Sequence, residues 1–401
     1  MRKKTLHFFS EFYYPASNST SFYITRIIHS CVEKWDGDCV INCATDNDGK
    51  EILCAPNIRI RRFTGGKIGK NNLASRLFKL AMISINFFMV GVFTVKKGDT
   101  VFCVTNPAFL LVFLSLLRNI IHFNFVLLVY DIFPEVLIPS GLTQKDSLKY
   151  RIILKIFNSA YNRADSIIVI GRDMKDVVES KIEDRNKIVF IPNWADTENI
   201  IGIPKDNNPI LKRLGIEKNF IFSIAGNMGR TQGLENIISA IQLLKGNDNT
   251  TFLFMGGGAK KKDLKEQVKN SRLNNILITG WIPDEERNAM LSAGDIAVIS
   301  LAKGMYGLSV PSKTYFNLAA RKPLLLIADD NSEIALLIRE HKIGWVVKPG
   351  DPQALADAFN AIRKTNRDDL ESMGIRARNI VESQYNEKEI LKEYQRVICN
   401  I

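Results

Sequence analysis

The stretch that decides the fold is Phe222-Ser223-Ile224-Ala225-Gly226-Asn227-Met228-Gly229-Arg230-Thr231-Gln232-Gly233-Leu234-Glu235. Its apolar start predicts a β-strand, its glycines predict a tight turn, and the residues after Gly233 predict a helix. The apolar residues of that helix recur at the spacing of a single helical face: Leu234, Ile237, Ile238, Ile241 and Leu244. A strand that passes through a glycine-rich turn into an amphipathic helix begins a β-α-β unit, so we expect a parallel sheet.

Short apolar runs alternate with helical patterns on both sides of this stretch. We predict strands at 6–9, 40–44, 58–63, 101–105, 125–130, 166–170 and 188–191, and then at 220–225, 252–255, 276–279, 296–299, 324–327 and 345–347. The polar, turn-rich residues 196–209 are typical of a linker. The sequence therefore predicts an α/β fold with two Rossmann-like, doubly wound domains that face each other across a cleft.

The predicted domains cover residues 1–198 and 199–380, and residues 381–401 form a C-terminal helix that can pack back on the first domain. Open α/β sheets bind ligands beyond the carboxyl ends of their strands, so the cleft is the expected site. The chain has 401 residues, 46% apolar and 24% charged, which is typical of a globular protein with a real core. Its six cysteines show no metal-ligand spacing, so we expect buried, reduced thiols. The apolar part of the amino-terminal stretch is too short for a secretory signal, which predicts a cytoplasmic protein.

The formal charge of +12 is unevenly distributed. No acidic residue lies between Glu51 and Asp99, whereas nine basic residues do: Arg59, Arg61, Arg62, Lys67, Lys70, Arg76, Lys79, Lys96 and Lys97. The chain has no nucleic-acid-binding signature, so we expect an anionic membrane surface as the partner and no nucleic acid. A solvated basic loop without a partner is the alternative.

An apolar run at 80–95 lies inside this basic segment. It is too short to span a bilayer, which takes about 20 apolar residues. We expect a helix that packs on the sheet and presses its outer side into the membrane interface; a fully buried core helix is the alternative.

The glycine-rich loop suits a phosphate ligand. A helix amino terminus offers free N–H groups and the positive end of its dipole, and Arg230 adds a cation that can grip a diphosphate. The loop is neither a Walker A motif nor a dinucleotide fingerprint. A plain β-to-α turn is the alternative.

A second loop, Leu308-Ser309-Val310-Pro311-Ser312-Lys313-Thr314-Tyr315, precedes another predicted helix. We expect Ser312 to cap this helix and Lys313 to place a cation at its start. An exposed helix lysine without a ligand is the alternative.

Further motifs follow in order: Phe12-Tyr13-Tyr14-Pro15-Ala16-Ser17-Asn18-Ser19, Tyr130-Asp131-Ile132-Phe133-Pro134-Glu135, Ile191-Pro192-Asn193-Trp194-Ala195-Asp196, Gly256-Gly257-Gly258 and Gly280-Trp281-Ile282-Pro283. Together with the two loops, they resemble the family 4 retaining glycosyltransferases, which have the GT-B fold. The segment from Tyr130 to Glu135 is similar to that of members acting on bacterial surface polysaccharides. These are in particular amino-sugar transferases resembling the fucosamine transferases of O-antigen assembly.

The resemblance implies a retaining, metal-independent hexosyltransferase without cofactors, acting at the inner face of the cytoplasmic membrane. Its donor would be a nucleotide sugar, with uridine favoured, and its acceptor a lipid-linked oligosaccharide. We assign catalysis to Asp131, Arg230 and Lys313. The donor is expected at Gly226, Asn227, Gly229, Gln232, Gly257, Trp281, Ile282, Ser309, Pro311 and Ser312, and the acceptor at Pro15, Ser17, Asn18, Ser19 and Glu135.

Two departures from the family pattern keep other functions open. Many relatives carry two glutamates where this chain has Leu308 and Phe316, and Arg321 stands where they commonly have glycine. A catalytically silent scaffold that binds lipid or partner transferases is one alternative. A nucleotide-sugar epimerase on the same fold is another. For single residues, Asp131 as a turn acceptor, Trp281 as a core residue and 15–19 as an ordinary loop stay open.

Overall fold

The computed structural model describes residues 2–16, 18–44, 57–63, 73–244 and 249–400, with only the backbone of 73–77. Ser17, Lys67, Lys70 and Cys54, which the sequence analysis singles out, lie outside the described residues. All five cysteines within them are free thiols.

The first half of the chain forms a seven-stranded parallel sheet. Its strands are β1 (Leu6–Ser10), β2 (Cys39–Cys43), β3 (Ile58–Arg62), β4 (Thr100–Val104), β5 (Asn124–Val129), β6 (Ser166–Val169) and β7 (Ile188–Phe190), and their order is β3-β2-β1-β4-β5-β6-β7. The helices between them are α1 (Ser19–Lys34), α2 (Leu73–Thr94), α3 (Ala108–Ile121), α4 (Leu148–Asn162) and α5 (Arg172–Glu179). The central strands are buried along their whole length because helices cover both faces of the sheet.

The second half repeats this plan with six parallel strands. They are β8 (Phe220–Asn227), β9 (Thr250–Gly257), β10 (Ile276–Ile278), β11 (Ile296–Ser300), β12 (Leu324–Ile327) and β13 (Gly344–Val347), in the order β10-β9-β8-β11-β12-β13. The accompanying helices are α6 (Pro209–Leu214), α7 (Leu234–Gln242), α8 (Lys261–Asn270), α9 (Arg287–Ser292), α10 (Lys313–Ala319), α11 (Glu333–His341) and α12 (Pro352–Arg363).

Two further helices, α13 (Arg367–Ser383) and α14 (Glu387–Cys399), follow. Helix α14 lies along α1 of the first half. Arg26 Nε donates to Glu387 Oε1 at 2.9 Å, and Gln395 Nε2 donates to the Ser30 carbonyl at 2.7 Å. The chain thus crosses back to its first half, while the domain limits at 198 and 380 stay predictions.

The predicted fold class, two doubly wound α/β sheets, is confirmed. Most predicted strands agree with the observed ones within one residue at each end, but β8 and β9 run two residues further at their carboxyl ends. They continue because the glycines let the backbones pair tightly; a Cβ on Gly256 would lie 2.0 Å from the Gly226 carbonyl oxygen. The strands therefore carry their last residues to the edge of the cleft.

The apolar run at 80–95 belongs to α2, which begins earlier than predicted. Ile83 and Phe87 are buried, whereas Phe78, Met82, Ile85, Met89 and Phe93 on the outer side are exposed. The alternative of a fully buried core helix is therefore wrong. Among the described helices, none combines the length and apolar character needed to cross a membrane.

Candidate active site

The two halves meet where Asp131 follows β5. Asp131 forms an isolated antiparallel bridge with Ser309, and the Ile132 N–H donates to the Leu308 carbonyl at 2.9 Å. Two segments that are about 180 residues apart in sequence are thus brought together at the carboxyl edges of both sheets. The predicted catalytic aspartate and the loop before α10 share one wall of the cleft.

The two predicted phosphate loops also meet. Lys313 opens α10, and its Nζ donates to Gln232 Oε1 at 2.9 Å. Burial lowers the pKa of the Lys313 ammonium from 10.5 to about 8. The half-buried lysine and the glycine-rich loop therefore form one site, with an ammonium that a dianionic ligand would stabilise.

Arg230 lies in the short 3₁₀ turn Arg230–Gln232 between the glycines and α7. Its side chain is exposed, and no described residue accepts a hydrogen bond from its guanidinium. The guanidinium therefore keeps its donors available, two residues before the Gln232 that Lys313 contacts.

One detail of the second loop was predicted wrongly. Ser312 precedes α10, but its backbone already has helical angles and its side chain makes no capping hydrogen bond. A side chain caps well only from an extended backbone, which explains the failure. The Ser312 hydroxyl is thus not consumed by a cap.

Asp131 is held by its backbone. Thr105 Oγ1 accepts hydrogen bonds from the N–H groups of Tyr130 at 3.1 Å and Asp131 at 3.2 Å. Burial raises the pKa of the Asp131 carboxyl to about 6, and no described residue donates a hydrogen bond to its carboxylate. The half-buried carboxylate is therefore positioned through its backbone, and its oxygens are available to a ligand. Sequence reasoning missed Thr105, which carries no motif of its own.

Glu135 has a strong partner within the protein. Its Oε1 accepts from the ammonium of Lys181, which is 5% exposed, and burial lowers the pKa of that lysine. The Glu135 Oε2 atom is buried without a partner. This ion pair fastens the segment after Asp131 to the first domain, and no motif in the sequence pointed to Lys181.

The predicted acceptor loop leads into α1. Asn18 is the cap of this helix, since its Oδ1 accepts from the Ser21 N–H at 2.8 Å. The Tyr14 N–H donates to Thr25 Oγ1 at 3.1 Å. Pro15 and Ser19 are half-buried. Tyr14 and Asn18 are thus held by residues of α1, and the Asn18 oxygen is already engaged.

Trp281 follows β10 and is 67% exposed, so the core-packing alternative is wrong. Its indole lies on the backbone of Gly257, where an added Cβ would come within 2.5 Å of Nε1. Ile282 beside it is half-buried. An exposed indole beside the glycine-rich turns presents a flat apolar surface to a planar ligand.

Leu308 and Phe316 are both buried. The Phe316 ring centroid lies 5.3 Å from Phe22 and 5.9 Å from Tyr23, both on α1 of the first half, and the Arg287 guanidinium lies 4.6 Å from the Phe316 ring centroid. The position therefore serves packing between the two halves. Arg321 adopts the left-handed φ of 59° that usually favours glycine.

In the described ranges, no three His, Cys, Asp or Glu side chains are grouped as metal ligands.

Residues 206–380 match the family model for glycosyl transferases group 1. The chain is 37% identical over 391 residues to the probable glycosyltransferase WbjE of Pseudomonas aeruginosa, covering 96% of this chain and 95% of that protein. It is 25% identical over 200 residues, 49% of each protein, to the putative colanic acid biosynthesis glycosyl transferase WcaI of Escherichia coli. The Anabaena protein Alr3699/HepE, solved in complex with UDP-glucose, has the same fold, with a TM-score of 0.72, 16% identity and full coverage of both chains.

Proposed function

Since this chain belongs to the group 1 glycosyltransferases, with the GT-B fold that its sequence predicts, we propose that it moves a sugar from a nucleoside-diphosphate donor to a lipid-linked saccharide. The product would be a bacterial surface polysaccharide such as O-antigen or capsule. The observation that carries the proposal is the contact between Lys313 and Gln232, together with the bridge that joins Asp131 to Ser309 of the loop before Lys313. It supports one site with a cation for phosphate and a carboxylate for the reacting sugar.

The donor lies along the second domain in this proposal. Its diphosphate faces Arg230 and Lys313, together with the N–H groups of Gly229 and Ser312. Its base lies near Trp281 and Ile282. A UDP-linked donor is supported by the similarity in fold to HepE, which was solved with UDP-glucose. Among possible sugars, an N-acetylated amino sugar such as N-acetylfucosamine is the one that the sequence resemblance favours.

The transfer retains the anomeric configuration. The bond between C1 of the sugar and the β-phosphate oxygen breaks as the acceptor hydroxyl bonds to C1 on the same face, and the proton of this hydroxyl passes to the leaving β-phosphate. Arg230 and Lys313 stabilise the charge that builds on the leaving diphosphate, so the reaction requires no divalent metal. Asp131, when ionised, stabilises the positive charge that develops on the sugar ring or accepts a hydrogen bond from the acceptor hydroxyl.

The acceptor lies on the first domain, beside Pro15, Asn18, Ser19 and the segment after Asp131. A lipid-linked acceptor at the inner face of the cytoplasmic membrane agrees with the exposed apolar side of α2. The name of WcaI, which refers to colanic acid biosynthesis, supports a polysaccharide pathway.

The test is transfer from a panel of nucleotide sugars to membrane extracts that contain lipid-linked saccharides, followed by mass spectrometry of the product lipid. Arg230→Ala should lower the transfer rate about a hundredfold or more, as expected for one lost donor to a developing charge. Arg185→Ala, at an exposed arginine of the first domain, is the matched control. An unchanged rate in Arg230→Ala would refute the assignment.

Calorimetry separates the alternatives. Binding of a nucleotide sugar together with transfer in the product assay supports the proposal. Binding together with isomerisation of the sugar indicates an epimerase, and absence of binding indicates a catalytically silent scaffold.

A further inference from the structure

Three helices of the first domain expose apolar side chains together. Helices α2, α3 and α4 pack side by side in that order. Most of the large apolar side chains that are exposed in the described residues lie on them: Phe78, Met82, Ile85, Met89, Val92 and Phe93 on α2, Phe109, Leu116 and Ile120 on α3, and Leu148, Ile152, Ile153 and Ile156 on α4. We call this surface the three-helix face.

On each helix the exposed residues recur at helical spacing, so each presents one outward stripe. Leu148 on α4 and Ile120 on α3 are more than 70% exposed. Contiguous apolar surface of this extent marks a binding surface in a water-soluble domain.

The charge of this face is one-sided. The sequences of α2, α3 and α4 contain no aspartate or glutamate, although the whole chain has 42 acidic residues among 401. The cations Lys149, Arg151 and Lys155 of α4 are all exposed. The exposed apolar residues of α4 therefore alternate with positively charged residues, and α2, α3 and α4 contain no acidic residue that would neutralise them.

Charge decides between the possible occupants. A second copy in a two-fold contact would set the same cations against each other, since such an interface pairs identical surfaces. Anionic lipid headgroups complement the lysines and arginine, while the isoleucines enter the boundary between headgroups and acyl chains. We infer that the three-helix face docks the protein on an anionic lipid bilayer, with α4 as a main contact.

The direction of the helices shows which end of the three-helix face lies near the cleft. In a parallel sheet, the helix after each strand starts at the carboxyl edge, the edge that holds Asp131. The exposed residues of α4 lie in its first nine residues, nearest that edge. If the acceptor is lipid-linked, a point that rests on the proposed function, docking through α4 holds the cleft mouth at the membrane surface.

Sedimentation with vesicles tests the inference. Vesicles of phosphatidylglycerol and phosphatidylethanolamine, at physiological salt, should bind the wild-type protein, whereas pure phosphatidylcholine vesicles should bind it weakly. The variant K149Q/R151Q/K155Q should partition about a hundredfold less, because each of the three cations contributes about fivefold to binding at an anionic surface. The variant I152E/I156E should also lose binding. Matched controls are K262Q/K265Q/K269Q on α8 and I375E on α13, which alter exposed residues of the second half.

Circular dichroism and thermal unfolding check that each variant is folded. The inference is overturned if wild-type protein ignores the anionic vesicles, or if the α4 variants bind them as well as the controls do. It is also overturned if the protein self-associates without lipid and the α4 variants abolish that association. Transfer to a detergent-solubilised acceptor needs no bilayer, so the α4 variants should keep it. Vesicle binding without any sugar transfer would refute the proposed function and leave this inference standing.

Discussion

Replacing Lys313 by methionine should stabilise the protein while it inactivates the enzyme. The ammonium of Lys313 is kept in a desolvated position, and burial lowers its pKa from 10.5 to about 8. A residue selected only for stability would not be charged there. Methionine has a similar length and no charge to desolvate.

The structure sets the size of both effects. A pKa lowered from 10.5 to about 8 corresponds to a cost of about 3 kcal/mol, at 1.36 kcal/mol for each pKa unit. Because the side chain is partly exposed and donates to Gln232, we expect Lys313→Met to raise the free energy of unfolding by about 1 to 2 kcal/mol at pH 7. The loss of one positioned cation should lower the transfer rate about a hundredfold or more.

The gain in stability should depend on pH. Below about pH 8 the lysine is protonated in both the folded and the unfolded chain, so the penalty is complete. Between about pH 8 and 10.5 only the unfolded chain stays protonated, so the stability of the wild-type protein rises and the advantage of the variant shrinks. Urea unfolding at pH 7 and pH 10, with transfer assays at pH 7, measures both effects.

Lys322→Met is the matched control. Burial lowers the pKa of Lys322 to about 8 as well, but this lysine follows the far end of α10 near Asp295 and Lys205. Its replacement should change stability in the same direction and leave transfer intact. The reasoning about Lys313 is refuted if Lys313→Met unfolds more easily than the wild type and still transfers sugar at the wild-type rate.

Three further outcomes are expected. The kcat/KM of the wild-type enzyme should fall below about pH 6, where Asp131 becomes protonated. Asp131→Asn should lower the rate and remove this fall of kcat/KM at acid pH. A fall that persists in the variant contradicts the role of Asp131. Trp281→Ala should raise the KM for the nucleotide sugar about tenfold with little change in kcat, since stacking on a base contributes about 1–3 kcal/mol. An unchanged KM in steady-state kinetics would exclude stacking of Trp281 on the base. Phe316→Glu should lower the free energy of unfolding by about 2–4 kcal/mol, because the position is buried against Phe22 and Tyr23. The variant should not bind the nucleotide more tightly in calorimetry. Tighter donor binding in a stable variant would show that the position faces the ligand.

The sequence predicted the sheets well because their signal is local. Each buried strand is a run of apolar residues between turn residues, and the runs that predicted β1 and β12 match the observed strands closely. The site was predicted only in part. Asp131, just after a strand, and Lys313, at the start of a helix, belong to recognisable loops, and the structure brings these loops together.

The partners of these residues were not predictable, since they come from distant parts of the chain. Thr105, just after β4, and Lys181, just after α5, support the segment after β5. The exposed apolar side of α4 was also missed, because the periodicity of a helix identifies its apolar stripe without showing whether another element covers it.

The return of α14 to α1 has a consequence for biosynthesis. Helix α1 is completed about 350 residues before α14, so its partner emerges from the ribosome roughly 20 to 70 seconds later at about 5–20 residues per second. During that interval the side of α1 that carries Ser30 lacks the helix that covers it. The second half of the chain can therefore fold before α14 covers this side of α1. A nascent chain halted before residue 387 should expose this side to chaperones.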